Sequence, residues 1–139
     1  MTKLFPKLVV TGADEAIAFY TQVFGARLVQ RYTAGDTVVY ALLALLGGQV
    51  SLKEADEHDP SPTTLGRPGV LMDVTVDDPD RLAQAVLNAG GTTVFPVNDQ
   101  PYGARGGRVR DPFGHEWLLQ TEIPLSEAEV QQRMDAMTG

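Results

Sequence analysis

Residues 106–120 read GGRVRDPFGHEWLLQ and describe two strands joined by a tight turn. Pro112 fixes its own φ, Asp111 can bond nearby backbone N–H groups, and Gly114 supplies a conformation that a Cβ would resist. Trp117, Leu118 and Leu119 make the second strand apolar enough to be buried. A weaker copy of this hairpin lies upstream, where a strand over 38–46, the turn Gly47-Gly48 and a strand over 49–53 follow one another. Gly48 and Gly114 are 66 residues apart, and the same offset matches Asp14 with Asp80, Gly25 with Gly91, Leu28 with Val94 and Leu52 with Leu118. An offset kept from the first strand to the last means one βαβββ unit written twice.

With 139 residues, 43% of them apolar, the chain can bury one full core, so a single domain of two half-size units is expected. The formal charge of −7 argues against a nucleic-acid surface, which needs a basic stripe. Without cysteine there is no disulfide framework, thiolate zinc site or thiol nucleophile. The opening MTKLFPKLVV lacks the long apolar core of a signal peptide, and no run approaches a membrane span. A soluble cytoplasmic protein is the expectation, with neither nucleic acid nor membrane as partner.

The first unit covers 1–55: a strand over 3–10, a helix opened by Asp14 and closed by Gly25, a strand over 26–32, and the 38–53 hairpin. Ala16, Ile17, Phe19, Tyr20, Val23 and Phe24 form the helix's apolar stripe. The text EADEHDPSPTTLGRP changes character and makes 56–68 a linker. The second unit, 69–122, repeats the order with a strand over 70–76, a helix over 80–89 stopped by Gly90-Gly91, and a strand over 92–97. Its loop NDQPYGARGG is longer than the counterpart at Gly35-Asp36, which marks a candidate functional insertion. A last helix is expected over 125–138, capped by Ser126 with Glu129, its Val130, Met134 and Met137 face docking on the body or on a second subunit.

The repeat, RDPFGHEW and PKLVVTGADEAIAFYTQVFGA together resemble the glyoxalase, bleomycin-resistance and extradiol-dioxygenase superfamily, the vicinal oxygen chelate fold, and within it the PhnB-like group. The resemblance covers roughly residues 4 to 122. It implies an α+β fold in which two βαβββ modules curl into a cup-shaped mixed sheet, with cups closed within one chain or across a dimer. Enzymes of that superfamily hold a divalent metal on the cup floor through His and Glu. The resemblance sets the corresponding positions here at Phe5, Leu71, Leu118 and either Leu52 or, with a register slip of one, Ser51. None is a strong ligand, so no metal and no cofactor are expected, and hydrocarbon lines the floor as an organic ligand prefers.

Strand alternation adds Asp73 and Thr75 to the face of Leu71, and Lys7 and Val9 through the repeat. An inward Asp73 would pair with Lys7 or with a cationic ligand. Tyr102 and Arg105 in the enlarged loop offer an aromatic face and a guanidinium for ligand contact. Trp117 alternates towards the core, and becomes a stacking platform if the register shifts. His115 is read as a turn or surface residue, His58 as part of a solvated acidic loop, Glu116 as a strand-end charge at the cup mouth, and Arg108 and Arg110 as solvent-facing flanks of Val109.

The expected function is a metal-free homodimer with no catalytic residue, sequestering an apolar or aromatic compound such as an antibiotic. Its ligand contacts would be Phe5, Lys7, Ser51, Leu52, Leu71, Asp73, Tyr102, Arg105, Trp117 and Leu118. The alternative is a metal-dependent glyoxalase-like or dioxygenase-like enzyme recruiting Glu116 with His115 or His58. A metal-independent isomerase with Asp73 or Glu116 as base is a third reading.

Overall fold

A computed structural model describes residues 2–138, so Met1 and Gly139, the ends assigned to the single domain, lie outside the described residues. The chain runs β1 (Lys7–Val10), α1 (Ala13–Phe24), β2 (Arg27–Ala34), β3 (Thr37–Leu45), β4 (Gly48–Glu54), α2 (Pro62–Leu65), β5 (Leu71–Thr75), α3 (Pro79–Asn88), β6 (Thr92–Asp99), β7 (Arg105–Arg110), β8 (Glu116–Gln120) and α4 (Glu127–Thr138). Two four-stranded mixed sheets have the same topology, β1-β4-β3-β2 and β5-β8-β7-β6. In each the first strand pairs parallel with the fourth and the remaining pairs are antiparallel. The repeated βαβββ unit is therefore the architecture, and the two sheets do not close into one.

Helix α1 is the centre of the core because it is apolar on more than one side. Ala13, Ala16, Ile17, Tyr20 and Phe24 recur at helical spacing and are all buried, as is Phe19. One side meets Leu8, Val10, Ala41, Leu43 and Leu52 of the first sheet in a common cluster with Val109, Trp117 and Leu119 of the second. Phe24 and Trp117 meet edge to face at 4.6 Å between centroids, and Tyr20 lies 5.8 Å from the same indole. Truncating a fully buried aromatic such as Trp117 to Ala costs about 3–5 kcal/mol, so the units are joined by packing as well as by the linker.

Polar bonds fix how the units meet. Asp111, buried in the β7–β8 turn, accepts from the Tyr20 hydroxyl at 2.6 Å, the Trp117 indole at 2.8 Å and the backbone N–H groups of Phe113 and His115. Nε2 of His115 donates to the Val9 carbonyl at 2.9 Å. His115 thus keeps the turn position expected of it, but as a buried tie from the second unit to β1 and not as a surface residue.

Helix ends follow mixed rules. Asp78 accepts from the Arg81 N–H and Pro79 starts α3, as an N-cap and first-turn proline do. Asp14 does not cap α1; it bonds Arg31 bidentately, and Glu54 takes the N–H groups of Gly12 and Ala13 at 2.9 Å each. A carboxylate at the end of β4 thereby serves the helix N-terminus of its own unit, where the macrodipole favours negative charge. Gly25, at φ +67°, ends α1 as expected. Strand β1 begins at Lys7, where its pairing with β4 begins, and not at Lys3.

The linker is less featureless than its composition suggests. It carries α2, and its buried Ser61 hydroxyl shares hydrogen bonds with Thr11 and Thr63 at 2.8 Å each. In α4 the Ser126–Glu129 box forms, Val130 and Met134 are half-buried, and Met137 is exposed. Arg133 ties that helix to the Pro101 carbonyl at 3.1 Å.

Candidate functional site: the open sheet faces

Residues paired across neighbouring strands share a face, so the register decides what the surface away from the helices displays. In the second sheet Met72, Trp117 and Val109 face the helices. Leu71, Glu116 and Arg110 form one row of the opposite face, and Asp73, Leu118, Arg108 and Phe95 form the next. In the first sheet Lys7, Ser51 and Leu42 lie in one such row, while Leu8, Leu52 and Ala41 form the buried row beside it.

The open face of the second sheet holds a hollow of about 300 Å³, bounded by Phe95, Pro96, Gln100, Tyr102, Arg108 and Leu118. Along its edge β6 bulges twice, between Thr93 and Phe95 and again before Asn98. The bulge brings β6 so close to β7 that a Cβ on Gly107 would stand 2.8 Å from the Phe95 carbonyl oxygen and the Val97 nitrogen. Only glycine fits there. Tyr102 donates its hydroxyl to Oε1 of Gln120 at 3.1 Å, fixing the ring at the rim. The guanidinium of Arg108 lies 5.3 Å from the Phe95 ring centroid.

Glu116 is buried in the neighbouring row of the same sheet face, between two arginines. Arg110 binds it at 2.7 and 3.1 Å, and Arg108 approaches at 3.4 Å. Arg108, read from sequence as a mere flank of Val109, lines the hollow, while Arg110 lies further along the same open face and stays half-exposed, since the side away from Val109 is the open face itself. Their alternation with Val109 was the available signal. On the first sheet the Lys7 ammonium lies 4.5 Å over the Tyr40 ring, and Tyr40 stacks with Tyr32 at 6.2 Å. Burial, followed by the repulsion of Lys53 and against the attraction of Asp59, draws the Lys7 pKa down.

Leu71, Asp73 and Leu118 thus share the second sheet's open face, with Tyr102 at its rim. Lys7 and Ser51 share the first sheet's, and half-buried Phe5 lies just ahead of β1. Three expected contacts are corrected. Leu52 and Trp117 are 0% and 1% exposed and belong to the helix-facing core. Their alternation places them there, because Ser51 pairs with Lys7 and Leu118 pairs with Asp73. Arg105 is directed to α3, binding Asp80 at 2.7 and 2.8 Å and Asp99 at 3.1 Å, so its fork is occupied. Residues 98–107 are also not all loop: β6 runs to Asp99 and β7 starts at Arg105, leaving a turn of 100–104.

The donor set of the floor does not fit a divalent metal. Among the described residues no three His, Cys, Asp or Glu side chains converge. Glu116 is held by two guanidiniums, His115 bonds the Val9 carbonyl, and His58 is exposed in the linker. What the face can do is stack a planar group, shed water from it along Leu118 and Pro96, and orient it with one cation.

A family model described as the glyoxalase/bleomycin resistance protein/dioxygenase superfamily matches residues 5–119. Over 142 aligned residues the chain is 37% identical to the uncharacterised protein Rv0887c of Mycobacterium tuberculosis, spanning 98% of this chain and 82% of that one. The crystal structure of TioX from Micromonospora sp. ML1 superposes with a TM-score of 0.65 at 28% identity, covering 86% of this chain and 98% of TioX. The PhnB protein of Bacillus cereus shares the fold at a TM-score of 0.70 and 20% identity, over 87% of this chain and 100% of its own. Among the described residues no helix is long and apolar enough to cross a membrane.

Proposed function

Since the chain belongs to the glyoxalase/bleomycin resistance protein/dioxygenase superfamily, we propose that it is a metal-independent binding protein of the bleomycin-resistance type. In this reading it is a cytoplasmic homodimer that sequesters an apolar or aromatic small molecule such as an antibiotic. One observation carries the proposal. Leu118 lies in the row of Asp73 and Arg108, and with Phe95, Pro96 and Tyr102 it offers hydrocarbon and ring faces to the hollow.

A carboxylate already held by two arginines is a poor base, so Glu116 supports binding and not proton abstraction. Both open faces carry exposed or half-buried apolar and aromatic side chains, including Tyr32, Leu71 and Phe95, and facing them across a two-fold axis would enclose a ligand. Native mass spectrometry should therefore find two chains. Calorimetric titration with a panel of aromatic natural products should find saturable binding that Leu118→Glu removes, while added Mn²⁺, Ni²⁺ or Zn²⁺ leaves Tm unchanged. A stoichiometric metal retained through purification, with turnover lost on chelation, would sink the proposal.

A further inference from the structure

Nε of Arg108 is, among the described residues, the one buried side-chain nitrogen or oxygen with no hydrogen-bond partner. An arginine has five N–H donors in a planar fork. Arg108 spends one of them on a long 3.4 Å approach to Glu116, because Arg110 takes the other oxygen of that carboxylate at 2.7 Å. Two guanidiniums share one carboxylate, so Arg108 keeps donors to spare, while Asp73 in its own row supplies the second negative charge of this face. Buried polar groups are ordinarily satisfied, so a half-used cation beside a hollow calls for an acceptor that comes from elsewhere.

The neighbours of Arg108 restrict what that acceptor is attached to. Its guanidinium lies 5.3 Å from the Phe95 ring centroid, and that ring is 59% exposed. Leu118 and Pro96 line the space alongside, with Tyr102 at the rim. A flat ring laid against Phe95 and Leu118 would bring a substituent at its edge to Arg108, where a carboxylate can accept two N–H bonds at once. The first sheet repeats the device with other residues. Lys7 lies over the Tyr40 ring and, among the described residues, makes no ion pair, while Lys53 takes both Asp56 and Asp59. The contrary charge on the second sheet's open face is Asp73, which shares a row with Leu118 and Arg108 and, among the described residues, makes no ion pair. Asp73 would favour a cation, so the two ends of that row make opposite demands on a ligand.

We infer that the open face of the second sheet recognises a planar aromatic molecule carrying an anionic group such as a carboxylate. Arg108 takes the anion, while Phe95 and Leu118 take the ring. The inference rests on the binding-protein reading above and names the chemical class of its ligand.

Three probes with one ring system test it by calorimetry on the full chain: naphthoate, naphthamide and naphthylmethylammonium. Naphthoate should bind about tenfold or more tightly than naphthamide, the scale of a hydrogen bond to a charged group, and the ammonium weakest. Arg108→Gln should erase the preference for naphthoate over naphthamide, and an unchanged circular dichroism spectrum with a cooperative thermal transition shows that the variant folds. Arg105→Gln, on the opposite face, should alter neither. Equal affinities for naphthoate and naphthamide, or a preference that survives Arg108→Gln, overturn the inference and leave the binding-protein reading standing. Tightest binding by the ammonium overturns it in favour of Asp73. Failure of all three probes to bind overturns the inference and the binding reading at this face together.

Discussion

The Tyr20 hydroxyl donates to Oδ2 of Asp111 at 2.6 Å, joining residues 91 positions apart inside the core. The same oxygen accepts from the Trp117 indole, and the other carboxylate oxygen holds the backbone of the β7–β8 turn. One buried carboxylate therefore ties the first unit's helix, the second unit's last strand and the turn between β7 and β8. The open face of Leu118 and Arg108 lies on the other side of those same strands, so this tie sets the platform on which the candidate site is built.

Tyr20→Phe should lower unfolding free energy by roughly 1.5–3 kcal/mol, since it removes a hydrogen bond to a charged acceptor without emptying space. Asp111→Ala should cost more, because it strands the Tyr20 and Trp117 donors together with two backbone N–H groups. Urea midpoints measure both. Near-equal losses for the two variants would mean that the carboxylate is not the shared partner it is drawn to be.

Burial, and then the Asp111 charge, push the Tyr20 hydroxyl well above its ordinary value of 10.0. The fold thus favours the protonated phenol, and that contribution is fully present below pH 10. It is lost as pH rises from there through the folded-state value. Wild type should lose its advantage over Tyr20→Phe only above about pH 10, seen in denaturant midpoints taken across the alkaline range. A gap that stays constant well past that pH contradicts the linkage.

Glu54→Ala leaves the N–H groups of Gly12 and Ala13 without the carboxylate that now receives them at 2.9 Å each. A loss of about 1 kcal/mol is expected, the scale of a helix N-cap. Hydrogen exchange at the start of α1 should speed up while the amides of β6 and β7 keep their protection. Uniform loss of protection across both sheets would assign Glu54 a different role.

Gly107→Ala forces a methyl group into the 2.8 Å approach to the Phe95 carbonyl. Strand β6 must then withdraw, moving Phe95 away from Arg108 and opening the hollow. Aromatic-probe affinity should fall at least tenfold, roughly 1.4 kcal/mol. Stability should fall too, because the β6–β7 pairing is disturbed. Unchanged affinity with a lowered Tm would separate the bulge from the site.

Much of this molecule was legible before any coordinates. The turn chemistry of Asp111, Pro112 and Gly114 and the stripe along α1 belong to local spacing, which survives into the fold, and the offset of 66 announced the repeat and holds as far as the helix starts, Ala13 and Pro79. Alternation likewise put Asp73 on the face of Leu71, whose position and that of Leu118 came from the family resemblance, and the pairing of β5 with β8 sets Leu118 beside Asp73.

Where the reading went astray, long-range geometry was the cause. The turn between β3 and β4 consists of Leu46 and Gly47, whereas 111–115 separate β7 from β8. The offset therefore does not carry across the hairpins, and Ser51, not Leu52, stands where Leu118 stands. Arg105 looked free because Asp80, its partner, lies 25 residues away on α3. Glu116 looked like a lone carboxylate because Arg110 and Arg108 meet it only once β7 lies beside β8. Side-chain periodicity is written along one strand, and so the residues announced the fold. Which cation meets which carboxylate, and which guanidinium is left over, depends on register between strands, and tertiary structure alone decides that.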